Sequence, residues 1–291
     1  MMLPVGQPMR WSEGTDRSEV TMQRGTLLQN VLIGGTAALF VAARLIPGGD
    51  TTGPVVAAAA ELVGAPAIVT GTPAVEGTGA VAEETAAALD ALSGSVRQLS
   101  HPQALEDAFH SYFAYRAAHP DAVKKPYLYF VDYGLASTTP RGYVFDMDAR
   151  QVVDGPFTVA HGRGSSTSQY GVPTRFANAT GSAATSLGLY VAQELYAFRG
   201  KSGGQSYQSL GLRLMGVSRG YNDNARARGV VAHGAPYVTA SRAGRSEGCP
   251  AVEPGRAERL LPKLANGGMV FLFAPNTSWL AGDPWLTASN G

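Results

Sequence analysis

The sequence predicts a turn-rich, mainly β protein of the α+β class with short helices. Three observations predict it. The 291-residue chain holds 36 glycines and 18 prolines, a density that punctuates the chain with turns. Short runs of apolar alternation recur from residue 127 to residue 273. Only residues 103–118 carry a strong helical period. The length allows one large or two small domains, with ample chain for a core.

The N-terminus reads as a targeting segment. Gly25–Ala43 is nineteen residues without a charge, bracketed by Arg24 and Arg44. Its strongly apolar part, Val31–Ala43, would reach about 20 Å as a helix, short of a bilayer core of about 30 Å. Residues 1–46 are therefore expected to be a signal peptide, with Val41-Ala42-Ala43 as a cleavage site, or an uncleaved signal anchor. The acidic residues Glu13, Asp16 and Glu19 spoil the first residues as a positive leader. Met22-Gln-Arg-Gly begins a better one, so Met22 is the expected biological start. The sole cysteine stands at 249, which excludes a lipoprotein signal.

Residues 47–100 read as a linker rich in Ala, Gly, Pro and Thr, with a helical stretch over Val81–Leu99 that Gly94 weakens. The main folded domain is expected over 101–291. It opens with a helix over 103–118, with Pro102 suited to its first turn and Pro120 as its stop. Leu105, Phe109, Tyr112 and Arg116 fall on one face, widened by Phe113, and that stripe is expected to dock on the β domain.

Strands are expected at Tyr127–Tyr133, Tyr143–Met147, Phe157–Ala160, Leu210–Met215, Gly229–His233 and Met269–Phe273, with a turn near Asp154-Gly155-Pro156. Gly162–Ser186 is a long Gly/Ser/Thr loop, a length that suits a substrate wall or lid. Arg256–Leu264 is a short helix interrupted by Pro262.

Charge excludes some functions. Charged residues are 15% of the chain, the net charge is +1, and no Lys/Arg block is present, so nucleic acid is not an expected partner. His101, His110 and His119 are nine apart, which puts successive members on opposite helix faces. With one cysteine and no ligand cluster, no metal site is expected.

Cys249 follows His233 by sixteen positions and lies in Ser246-Glu-Gly-Cys249. It cannot form an intramolecular disulfide or a Cys-x-x-Cys pair. The thiolate is the attacking species, and a free Cys has a pKa of about 8.5, so a nearby imidazole is a ready activator. A lone Cys also serves as a small buried apolar residue, and a lone His as a hydrogen-bonded structural one. His161-Gly162 ends another apolar run and competes with His233-Gly234 for the role of base.

The wider pattern decides between these readings. Gly229-Val-Val-Ala-His-Gly-Ala-Pro-Tyr237 followed by Gly244-Arg-Ser-Glu-Gly-Cys-Pro-Ala-Val252 resembles the active-site block of the murein L,D-transpeptidase catalytic domain family, the YkuD-type enzymes. Val159-Ala-His-Gly-Arg-Gly-Ser165, Phe176-Ala-Asn178, Ser186-Leu-Gly-Leu-Tyr190 and Leu210 to Asn222 extend the resemblance over roughly residues 103 to 275.

The resemblance implies a β-sandwich catalytic domain in which His233 deprotonates Cys249 and Gly234 supplies a carbonyl to the second imidazole nitrogen. Gly248 and Ser246 would shape the turn and its oxyanion donors. His161, Asn222, Arg228, Tyr237 and Arg245 are the expected substrate-side residues. The implied substrates are peptidoglycan stem peptides, with acyl transfer to an acceptor amine through a thioester, no metal or organic cofactor, and an exported, cell-envelope location with membrane contact through the N-terminal segment. Water as acceptor would give an L,D-carboxypeptidase; dead chemistry would leave a wall-binding protein. Two departures stand out. Ala251 occupies the place, two after the cysteine, where many relatives carry Arg, and the acidic Glu247 stands where relatives often carry His or another polar residue. Arg228, Arg242 and Arg245 are the candidates for the missing cation.

Overall fold

The computed structural model describes residues 76–287; the 1–46 targeting segment, the Met22 start and the linker up to residue 75 lie outside the described residues. The described chain opens with α1 (Glu76–Leu92) and α2 (Ala104–Ala118). The expected helix over Val81–Leu99 stops earlier, in a short 3-10 turn over Ser93–Ser95, where Ser-Gly-Ser favours a bend over another helical turn.

Strands β1 (Tyr127–Asp132), β2 (Gly142–Asp146), β3 (Gln151–Phe157) and β4 (His161–Gly162) follow. Next come the long β5 (Gly188–Ser202) and β6 (Gln205–Gly216), then β7 (Val231–Gly234), β8 (Val238–Thr239), β9 (Arg242–Ala243), β10 (Arg245–Ser246) and β11 (Ala251–Val252). The chain closes with α3 (Pro254–Leu264), β12 (Met269–Phe273) and α4 (Thr277–Gly282).

Eight strands form one sheet in the order β11-β7-β6-β5-β12-β1-β2-β3, and the short β10-β4 and β8-β9 pairs flank it. The mainly β class with short helices is therefore what the chain adopts. The sheet centre explains its own composition. β12 reads Met-Val-Phe-Leu-Phe and every residue is buried, as a strand covered on both faces requires. It pairs parallel with β1 and antiparallel with β5. Helix α2 packs on β1 and β12, and α3 on β5, β6 and β7. The aromatic stripe of α2 docks as expected: Phe109 meets Phe145 of β2 edge-on at 5.3 Å, and Leu105, Tyr112 and Phe113 are buried.

Two strands differ from expectation. β3 covers Gln151–Phe157, so Asp154-Gly155-Pro156 lies inside a strand and not in a turn. Pro156 lacks an N–H, and β3 is the edge of the sheet, where that loss is tolerated. Irregular register against β2 at Gly142 to Phe145 absorbs the distortion. The second difference is β5, which pairs with β6 from Tyr190↔Gly216 to Ser202↔Gln205. Its outer half projects as a two-stranded ribbon. The ribbon closes on the two-residue turn Gly203-Gly204, both at positive φ (+57° and +80°), the geometry that favours glycine in tight hairpins.

Candidate active site

Strand β7, Val-Ala-His-Gly, is buried throughout because neighbours pair with it on both sides. Gly211 of β6 stands opposite His233, and Ala251 of β11 stands beside it in parallel register. His233 is 3% exposed. Its Nδ1 lies 3.0 Å from the Gly234 carbonyl oxygen. A carbonyl only accepts, so Nδ1 carries the proton and Nε2 keeps its lone pair. Phe198, from the β5 ribbon, stacks on the ring at 4.0 Å and 20°. Backbone pairing, the Gly234 carbonyl and this aromatic lid fix the imidazole in one tautomer. Burial pulls its pKa down to about 4, against the pull of the Gly234 carbonyl.

Cys249 is half-buried and lies on the turn between β10 and β11. Ser246 Oγ donates to the Cys249 carbonyl at 2.7 Å and accepts the Gly248 N–H at 3.1 Å, which clamps the turn. The Gly248 amide is thus already used. The Cys249 amide makes no hydrogen bond among the described residues and is left as the donor nearest the sulfur. Gly248 has φ +122°, and a Cβ there would stand 2.8 Å from the Ala184 carbonyl oxygen. A Cβ on Gly162 would lie 2.9 Å from Gly248 Cα, so two backbones meet here with no room for side chains. Gly248→Ala should therefore lower stability by about 1–3 kcal/mol, read as a lower melting temperature, and displace the Cys249 turn.

The register sets the Cys249 turn beside the strand that carries His233. With Ala251 level with His233, Cys249 falls near Val231. Sγ also stands 3.9 Å from the Gly229 carbonyl. The Tyr196, Phe198 and Tyr207 rings adjoin one another, and Phe198 covers His233. Sulfur and imidazole thus lie on neighbouring segments, the Cys249 turn and β7. In this resting geometry no hydrogen bond joins them; catalytic contacts of this kind often tighten only with substrate. Burial pushes the thiol up to about 11, the Val231 amide and Arg228 oppose the rise, and Glu247 adds to it.

The structure sorts the other expected site residues. Arg228 hydrogen bonds to Ala177 O at 2.8 Å, Ala184 O at 2.7 Å, Ser182 Oγ at 3.1 Å and Ser186 Oγ at 3.3 Å. All four partners are neutral, so among the described residues its charge is held in place uncancelled, close to the Cys249 turn. Of the three candidates for the missing cation, Arg228 is held against the Cys249 turn, its Nη2 3.6 Å from where a Cβ on Gly248 would stand. Arg242 lies over the Tyr170 ring at 5.6 Å, and Arg245 donates to Ser166 O at 3.1 Å.

Asn222 is fully buried; Oδ1 accepts from the Ser218 amide at 2.9 Å and Nδ2 donates to Leu189 O at 3.0 Å. Those bonds anchor the segment that ends in Arg228, so the structure gives Asn222 a supporting place and not a substrate-facing one. Tyr237 is half-buried, with its ring 6.5 Å from Tyr207.

His161 is fully buried one strand behind the Cys249 turn, in register with Arg245. Its Nδ1 is 3.0 Å from Arg141 Nη2. Arginine only donates, so Nδ1 accepts and the proton sits on Nε2, which has no partner. Burial, then Arg141 and Arg245, pull its pKa down to about 3. Neither nitrogen offers a free lone pair, and a ring in that state cannot serve as base. Sequence reasoning missed Arg141 and Phe198. Arg141 is a fully buried cation with no flanking signature, whereas Phe198 was accessible through the Gly-Gly turn that reveals its hairpin.

The L,D-transpeptidase catalytic domain model matches residues 97–273. No match is found among curated proteins. Among solved structures, an L,D-transpeptidase from Mycobacterium smegmatis is similar at 14% identity and a TM-score of 0.31, over 51% of this chain and 59% of that one. Bd1075 of Bdellovibrio bacteriovorus is similar at 16% identity and a TM-score of 0.31, over 51% of this chain and 48% of that one. The chain thus spans less than two thirds of either. The matched segment takes in more than half of the residues, with the Cys249 turn and β7 inside it, and the chain belongs to the L,D-transpeptidase catalytic domain family.

Proposed function

We propose that this domain is a peptidoglycan L,D-transpeptidase that works by cysteine acyl transfer. The observation that carries the reading is the His233 tautomer. The Gly234 carbonyl holds the proton on Nδ1 and frees Nε2 on the strand that runs beside the turn carrying the sole thiol. Nε2 takes the Cys249 proton as sulfur attacks the carbonyl at the L-centre of diaminopimelate in a tetrapeptide stem. An S–C bond forms and the carbonyl electrons move to oxygen, towards the Cys249 amide. Collapse expels the terminal D-residue, whose amine takes the proton from the imidazolium. The thioester is then attacked by an acceptor amine, which loses a proton to His233 and releases the thiol. The Gly234 carbonyl stabilises imidazolium less than a carboxylate would, and a thiol needs less help than a hydroxyl.

Such a substrate places the protein in the cell envelope, exported by its N-terminal segment. No helix of the described residues is long and apolar enough to cross a membrane. Incubation with a tetrapeptide muropeptide followed by intact mass analysis tests the reading. The expected adduct equals the donor minus its terminal D-residue. A folded protein that never gains this mass overturns the proposal, and a cross-linked or trimmed muropeptide separates amine from water as acceptor.

A further inference from the structure

A cavity of about 350 Å³ lies beside the Cys249 turn, between the tip of the β5–β6 ribbon, the loop after β4 and the start of β10. Arg163, Gln169, Lys201, Tyr237 and Arg245 line it. Three of these are cations. The nearby Glu247 pairs with Arg163 at 2.7 Å, and both side chains are well exposed. Lys201 and Arg245 have no carboxylate within ion-pair distance among the described residues. Arg245 is nonetheless held in place, through Nη1 to the Ser166 carbonyl at 3.1 Å. Lys201 is carried by the projecting ribbon, three residues from Phe198 on His233.

We propose that this cleft is a carboxylate subsite for the stem peptide, reading an acidic residue next to the acylated centre. The inference rests on the transpeptidase reading of the site. Its chemistry is local: two guanidinium groups, an exposed ammonium, an amide and a phenol line it, and the carboxylate of Glu247 beside it is already matched by Arg163. The volume lies in the range of small-ligand sites and suits one or two residues of a peptide. Arg245 and Cys249 are separated by only Ser246, Glu247 and Gly248, so a chain acylated at the sulfur has its neighbouring residue within reach of the cleft. The ribbon links the two sites, since β5 carries both Phe198, which stacks on the imidazole, and Lys201, on the exposed rim of the cleft.

The test measures binding alone, so it is separate from acylation. The full chain carrying Cys249→Ser is titrated calorimetrically with the tetrapeptide L-Ala-γ-D-Glu-diaminopimelate-D-Ala. A second titration uses the same peptide with the glutamate α-carboxylate amidated. The acid form should bind about tenfold more tightly than the amide, with a preference that shrinks as salt rises. Lys201→Gln, at an exposed hairpin tip, should weaken the acid form about fivefold and leave the amide unchanged. Lys201→Arg should restore it, and adding Arg245→Gln should erase the preference. Equal affinity of the two peptides, no binding of either, or equal weakening of both by Lys201→Gln overturns the subsite. Failure of the wild-type protein to acylate with a bound peptide would instead overturn the transferase reading.

Discussion

Cys249→Ala should form no acyl-enzyme at all, and His233→Gln should slow acylation by about 10²–10⁴-fold. The first loss is total because no second thiol exists in the chain to take over. The second follows from the state of the sulfur. With the thiol pushed up to about 11, only about one part in 10⁴ is ionised at pH 7 without help. A base that accepts the proton during attack recovers that factor; glutamine fills the space and cannot. The defect of His233→Gln should therefore shrink about tenfold with each unit of rising pH, as hydroxide replaces the imidazole. His161→Gln provides the contrast. It breaks the Arg141 contact and should lower the melting temperature, while folded protein still acylates. Single-turnover mass spectrometry with the tetrapeptide reads all three variants. Acylation lost with His161 replaced and kept with His233 replaced would reverse the assignment of the base.

The sulfur and imidazole were legible because they sit in short motifs whose local order is also their spatial order. β11, two residues beyond Cys249, pairs in parallel with β7, and the segment between the two strands is only sixteen residues long. The central strands were legible for another reason. β12 and β1 are buried on both faces and must be apolar, so their runs stand out. β5 was not, because its outer half leaves the sheet and alternates aromatic with charged residues that read as loop. β3 was hidden by Gly-Pro, a turn signal that an edge strand tolerates.

The roles of single polar residues were less legible than the motifs. Asn222 and His161 look like site residues in sequence, and both have polar atoms committed to internal partners. Arg228 carries no motif that singles it out from Arg242 and Arg245. Only the fold shows that four neutral acceptors aim its charge at the Cys249 turn.

The pH dependence of the free enzyme should separate two kinds of cysteine enzyme. Burial penalises the charged form of each partner. It raises the thiol, which is charged when deprotonated, and lowers the imidazole, which is charged when protonated. The result is a thiol at about 11 and an imidazole at about 4, so the resting pair is neutral from pH 5 to pH 10. A preformed thiolate–imidazolium pair needs the opposite order. Alkylation of Cys249 by iodoacetamide, which needs thiolate, should climb about tenfold per pH unit from 7 to 10. At pH 7 it should run about 300-fold slower than a free thiol of pKa about 8.5. Acylation by the stem peptide depends instead on a neutral imidazole and an intact thiol. It should fall only below about pH 4, where His233 takes a proton, and stay level through neutrality. Replacing Arg228 by Gln should shift the alkylation curve to still higher pH, because the uncancelled cation stabilises the thiolate. An alkylation rate that levels off near neutral pH would show that the ion pair exists before substrate arrives, and the neutral-pair mechanism would be wrong.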